Sequence, residues 1–322
     1  MNSNTKYSSD YNKLIHKARE HGSNLEWDKA IEFYEEAFKT SIDSYDMLDL
    51  AICYLEIDEK EKALETIDFV IGLDEDESKA YFYKGLYYDH LMEKEEALKW
   101  FIVSETKLKS KEDDEEIAEL FFKIGLLYDE LSDEKDNDEL LENAISYYNK
   151  ALEHDEYHYF TNLNLGSIYE KQNILDKALE YSLKAYNTNA EESFVCYNLG
   201  VIYSKLNDMD SALKYYLEET EREEPYPYVY YNLGIIYKDM KDYKKSKEYY
   251  LEGLKHLKND PSIWYNLGCV HALNNDFANA YDCLSASIIL NSKIINYLEE
   301  DNELNEFIKS DMYNKLKDKY KI

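Results

Sequence analysis

At 322 residues the chain is longer than the roughly 250–300 residues at which a single hydrophobic core stops growing, so a stacked array or several cores must carry its stability. Acidic residues outnumber basic ones 68 to 37, a formal net charge of −31. That balance argues against nucleic acid, whose binding needs Lys and Arg to displace counterions, and against anionic membrane surfaces.

Only 9 glycines and 3 prolines stand beside 34 tyrosines, a composition that favours helix throughout. Residues 1–10 are polar and read as a disordered lead-in without a signal peptide, and no apolar run approaches the roughly 20 residues of a membrane helix. No membrane insertion and a cytoplasmic location are expected. The cysteines Cys53, Cys196, Cys269 and Cys283 form no CxxC pair and no disulfide framework, and read as small core residues in a reducing compartment.

Helical periodicity begins at Tyr11. Leu14, Ala18 and His21 mark a first helix, and Ala30, Tyr34 and Ala37 a second one after the break at Gly22–Asn24. The next unit carries Met47, Leu50, Ala51 and Tyr54, then Ala63, Ile67 and Val70. The third carries Tyr81, Gly85 and Tyr88, then Ala97, Phe101 and Ser104. The fourth has Phe121, Ile124, Gly125 and Tyr128, but its second-helix alanine, Ala144, arrives about two helical turns late. An acidic insert near 131–143 is therefore expected to lengthen the turn or the second helix.

Four first helices then repeat one motif: Leu163-Asn164-Leu165-Gly166, Tyr197-Asn198-Leu199-Gly200, Tyr231-Asn232-Leu233-Gly234 and Tyr265-Asn266-Leu267-Gly268, at a constant step of 34 residues. Their second helices carry Ala178 and Ala185, Ala212 and Tyr216, Ser246 and Tyr250, Ala280 and Leu284, with Pro225, Pro227 and Pro261 between units. Glycine inside a helix costs about 1 kcal/mol relative to alanine, so its repetition implies close approach of the partner helix. Residues 295–322 leave the repeat and read as a helical cap for the last apolar face.

The step of 34 residues, Leu-Gly-x-x-Tyr in first helices and Ala-x-x-x-Tyr/Leu in second helices resemble the tetratricopeptide repeat (TPR) family. The match is close over 159–294 (units five to eight) and degenerate over 11–158 (units one to four), where Lys17 and Lys84 replace the expected Leu; Ser246 replaces Ala in the seventh unit. The resemblance implies an all-α fold, a right-handed α-solenoid of about eight helix-turn-helix units, with a concave groove lined mainly by first helices.

Each first helix has two faces. In the sixth unit Cys196, Leu199, Gly200 and Tyr203 follow i, i+3, i+4, i+7 and are expected inside the pair, leaving Phe194, Tyr197, Asn198, Val201, Ser204 and Lys205 on another side. The same places elsewhere give Phe160, Asn164 and Lys171; Tyr228, Tyr231, Asn232 and Lys238; Tyr265 and Asn266. An amide offers a donor and an acceptor and can pair with a peptide backbone without reading its sequence. Asparagine ladders bind extended peptides in some members of the family, which implies such a role for Asn164, Asn198, Asn232 and Asn266; simple inheritance by duplication remains the competing reading. Lys171, Lys205 and Lys238 are candidate carboxylate contacts or solvated rim lysines. The earlier units break the ladder with His16, Asp49, Tyr83 and Lys123.

No phosphate-loop, dinucleotide, zinc-protease or serine-hydrolase motif occurs, and the spacing of His154 and His158 indicates no metal partner. No cofactor, metal site or enzymatic activity is expected. The reading is a non-catalytic scaffold that binds an extended peptide or a partner's tail in the groove. The alternative is a regulatory or sensor protein whose superhelix changes shape on binding a signalling peptide.

Overall fold

The scarcity of helix breakers is realised throughout. The computed structural model describes residues 7–109, 112–190 and 194–321, and no strand occurs among them. Sixteen of its α-helices run as sequential pairs: α1 (Ser9–Ser23) with α2 (Trp27–Phe38), α3 (Ser44–Glu56) with α4 (Lys60–Leu73), α5 (Ser78–His90) with α6 (Lys94–Lys107), α7 (Asp114–Lys135) with α8 (Asp138–His154), α9 (Tyr159–Lys171) with α10 (Leu175–Thr188), α11 (Val195–Lys205) with α12 (Met209–Thr220), α13 (Tyr228–Asp239) with α14 (Tyr243–His256), and α15 (Pro261–Leu273) with α16 (Phe277–Leu290). The fold is that of an all-α solenoid of helix pairs. The chain forms two compact units, Met1–Thr161 and Asn162–Ile322.

Each turn within a pair contains one residue in the left-handed region: Leu25, Asp58, Met92, Asp136, Asn173, Asn207, Lys241 and Asn275, with φ between 48° and 64°. That conformation returns the chain to the helix it has left. The Asp208 N–H donates to Tyr203 O at 3.0 Å and the Asp242 N–H to Tyr237 O at 2.9 Å. The carboxylates of Asp208, Asp242 and Asp276 then accept the N–H three residues on and cap α12, α14 and α16.

The repeated glycines sit where close approach demands them. A Cβ at Gly200 would lie 2.3 Å from the Tyr216 ring, one at Gly234 2.4 Å from Tyr250, and one at Gly85 2.4 Å from Phe101. Each of these aromatic residues lies on the second helix of its pair.

The acidic insert behaves differently from the expectation of a longer turn or second helix alone. Its residues extend both helices, α7 to 22 residues and α8 to 17, around the short turn at Asp136–Asn137. Seven extra residues make two full turns, so the packing faces stay in phase. A Cβ at Gly125 would still meet Tyr148, at 2.7 Å.

In the second unit the tail closes the last pair. Two 3-10 segments (Ser292–Tyr297 and Asn302–Leu304) lead into α17 (Asn305–Ile308) and α18 (Asp311–Tyr320). Leu298, Leu304, Phe307, Tyr313 and Leu316 are buried with Cys269, Ala280, Leu284 and Ile288 of α15 and α16. The apolar face of the final pair is thereby withdrawn from water.

Candidate functional site

In α11 the two faces separate as the periodicity predicts. Cys196, Leu199 and Gly200 are buried. Tyr203 is half-buried, and its ring stacks on Tyr215 of α12 at 5.5 Å. On the other side Phe194, Tyr197, Val201 and Ser204 are half-buried and Lys205 is exposed, whereas Asn198 is buried.

The asparagines are bonded to the preceding repeat. Asn198 Nδ2 donates to Ser167 Oγ on α9 at 2.9 Å, and Asn232 Nδ2 to the Tyr216 hydroxyl on α12 at 3.1 Å. Asn266 Nδ2 donates to Ser262 O in its own helix at 3.0 Å and lies 3.4 Å from the Tyr231 hydroxyl. Asn164 is half-buried on α9. The ladder positions thus join one repeat to the next, a use that spacing alone does not reveal. In Asn198 and Asn232 these bonds engage the NH2 end of the amide.

Two of the lysines are neutralised within the unit. Lys205 meets Glu170 at 2.6 Å, and Lys238 meets Glu303 of the cap at 2.7 Å while donating to Asn266 Oδ1 at 3.2 Å. Lys171 is exposed. Phe160 belongs to the first unit and stacks on Phe122 at 6.0 Å.

An aromatic cluster forms where α11 and α13 begin. Phe194 and Tyr197 lie 5.7 Å apart, Tyr226 lies 4.8 Å from Phe194 and 4.6 Å from Tyr197, and Tyr228 lies 5.8 Å from Tyr226. None of the four is fully buried. Tyr226 was not among the predicted site residues, since it lies outside the helical period. Its only signal is its place between Pro225 and Pro227. The buried Glu219 fixes that loop by accepting the Tyr226 N–H at 2.9 Å.

At the end of the same unit, polar groups gather between α13, α15 and the cap. The Tyr265 hydroxyl donates to Asp301 at 2.5 Å, and the Cys269 thiol points at the same carboxylate at 3.8 Å. Burial, then the carboxylates of Asp301 and Glu303, push the Cys269 thiol well up from its ordinary value. A cleft of about 500 Å³ beside the cluster is lined by Tyr231, Tyr265, Asn266, Tyr297 and Asp301.

The first unit has its own depression, about 320 Å³, with Phe82, Tyr83, Leu108 and Leu120 among its walls and Glu112, Glu115, Glu116 and Glu119 around them. Lys79 offsets part of that charge through Glu116 at 2.6 Å. His154 and His158 pair with different carboxylates, Asp114 and Glu119, and do not converge.

No helix among the described residues is long and apolar enough to cross a membrane. A family model described as tetratricopeptide repeat matches residues 195–223 and 227–255, which correspond to the α11–α12 and α13–α14 pairs. No curated protein matches the chain. Among solved structures, a chain of the APC/C hetero-tetramer Cut9-Hcn1 is 18% identical with a TM-score of 0.54, covering 94% of this chain and 55% of that one. The C-terminal part of a TPR repeat-containing protein from Cytophaga hutchinsonii is 17% identical with a TM-score of 0.57, covering 78% of this chain and 99% of that one. At such identities the likeness is one of fold, and this chain spans about half the length of the Cut9-Hcn1 chain. The helix pairs and their glycine contacts, with the two matched repeats, give this chain a fold like that of tetratricopeptide-repeat proteins.

Proposed function

We propose that the protein is a non-catalytic scaffold whose second unit binds an extended peptide or a partner's tail along the face carrying Tyr197, Asn198, Tyr231, Asn232, Tyr265 and Asn266. The observation that carries this reading is the cluster of Phe194, Tyr197, Tyr226 and Tyr228, four incompletely buried rings linked through Tyr226 on an otherwise acidic chain. Clustered aromatic rings left in reach of solvent are the usual anchors of a protein interface. Next to them, the bonds from Nδ2 orient the amides of Asn198 and Asn232.

Selection of peptides from a random display library on the immobilised full chain tests the reading. Tyr197→Ala and Tyr226→Ala are each expected to weaken the selected peptides at least about tenfold, the range of an interface anchor. Peptides that bind both variants as well as the parent would contradict it. The regulatory alternative draws on one observation, the Lys238–Glu303 pair. A ligand carboxylate that takes Lys238 must displace the cap's own Glu303, so binding there would loosen the cap.

A further inference from the structure

We propose that Cys269, Asp301 and Glu303 form a site for a divalent transition-metal cation of the zinc type, which ties the C-terminal cap to the last repeat. One ligand atom from each of the three lies within 4.8 Å of the others, the only such His/Cys/Asp/Glu group among the described residues. Tetrahedral zinc with bonds of about 2.3 Å to sulfur and about 2.0 Å to oxygen sets its sulfur and oxygen ligands about 3.5 Å apart. The Cys269 Sγ to Asp301 distance of 3.8 Å needs little contraction to reach that value.

A second observation points to the same place. The Tyr250 hydroxyl is fully buried and has no hydrogen-bond partner, although such a group normally has one. Its ring lies 6.1 Å from that of Tyr231, which lines the same cleft as Tyr265 and Asp301. Its oxygen is available to a cation there, directly or through a bound water. The surroundings suit a metal in other respects. The Tyr265 hydroxyl orients Asp301 at 2.5 Å, as outer groups orient metal ligands. Two carboxylates and a thiolate carry three negative charges, against which Lys238 supplies one positive charge; a divalent ion brings the group to neutrality. Lys238 then retains Asn266 Oδ1, already at 3.2 Å. As the Cys269 sulfur bonds to the metal, its proton passes to water.

This departs from the sequence-based expectation of no metal site. Asp301 and Glu303 lie more than thirty residues from Cys269 and match no ligand-spacing motif. The proposal is independent of peptide binding.

The full chain, stripped with a chelator, is titrated with Zn²⁺ and with Co²⁺. The expected result is one equivalent bound, a sulfur-to-cobalt charge-transfer band, and a rise in Tm with Zn²⁺. Cys269→Ser is expected to abolish the band, and Glu303→Gln to weaken zinc binding at least about tenfold. Cys283→Ser, a buried thiol outside the cluster, is expected to leave both unchanged. No stoichiometric binding, or a band that survives Cys269→Ser, overturns the proposal. If Cys269→Ser fails to fold by circular dichroism, Glu303→Gln decides: unchanged zinc affinity in that variant overturns the proposal.

Discussion

Gly234 and Gly253 lie in the same helix pair but are expected to respond in opposite ways to alanine. A Cβ at Gly234 would stand 2.4, 2.6 and 2.7 Å from three ring atoms of Tyr250, whose side chain is fully buried. Restoring ordinary contact requires the ring or the helix to retreat by about 1 Å, and overpacking of this kind costs about 1–3 kcal/mol. Alanine returns about 1 kcal/mol through helix propensity. Because the ring is buried, the net loss should be about 1–2 kcal/mol. At Gly253 the nearest atoms to an added Cβ are at 3.4 and 3.5 Å, ordinary contact, so only the propensity gain of about 1 kcal/mol applies. The two variants should therefore differ by about 2–3 kcal/mol, read as urea midpoints by far-ultraviolet circular dichroism on the full chain. Combining Gly234→Ala with Tyr250→Leu, which removes the ring atoms that the Cβ would meet, should recover part of the loss. A Gly234→Ala variant as stable as Gly253→Ala would refute the close-packing account of the repeated glycine.

Lys241 occupies the left-handed turn position that Asn173, Asn207 and Asn275 fill elsewhere in the unit. That conformation costs an ordinary residue roughly 1–2 kcal/mol and asparagine less, so Lys241→Asn should raise Tm by a few degrees, and an unchanged or lower Tm would count against it. Alkaline pH should destabilise the fold. Burial pushes the Cys53 thiol up to about 11 and the Cys196 and Cys283 thiols up to about 12, while a hydrogen bond to Glu218, with burial, pushes the Tyr186 phenol up to about 12. These groups hold their protons to higher pH in the folded chain than in the unfolded one, whose thiols and phenols ionise from about pH 8.5 and about pH 10. The unfolded state thus binds fewer protons in that window, and stability must fall as pH rises from about 8.5 towards about 12. A Tm profile that stays flat across it would contradict the burial of these groups.

The repeat architecture was legible because its cause is local. Gly200 and Tyr216 sit sixteen residues apart in one pair, so a fixed period records their contact. Asn173, Asn207 and Asn275 recur at that same step of 34, and asparagine tolerates the left-handed backbone that their turns adopt. What a side chain reaches across repeats was not. Asn198 occupies the predicted position, but its bond to Ser167 depends on how two pairs stack. Lys238 was read as a groove or rim cation, yet its partner Glu303 lies 65 residues away in a segment outside the period. Tyr226 was missed because it belongs to a proline-flanked loop that carries no helical signal, although its ring lies 4.6 Å from Tyr197. That the insert is shared by both helices was not legible, because two helical turns can be divided between two helices without disturbing either packing face.

The central claim is that the asparagine-bearing face of the second unit holds a peptide backbone. Isothermal titration of one library-selected peptide into the parent and into the triple variant Asn198→Ala, Asn232→Ala, Asn266→Ala tests it most directly, with circular dichroism confirming that the variant is folded. Three hydrogen bonds at about 0.5–1.5 kcal/mol each predict a loss of affinity between about tenfold and about a thousandfold. The same Kd in parent and folded variant would contradict the claim and leave these amides as links between repeats alone.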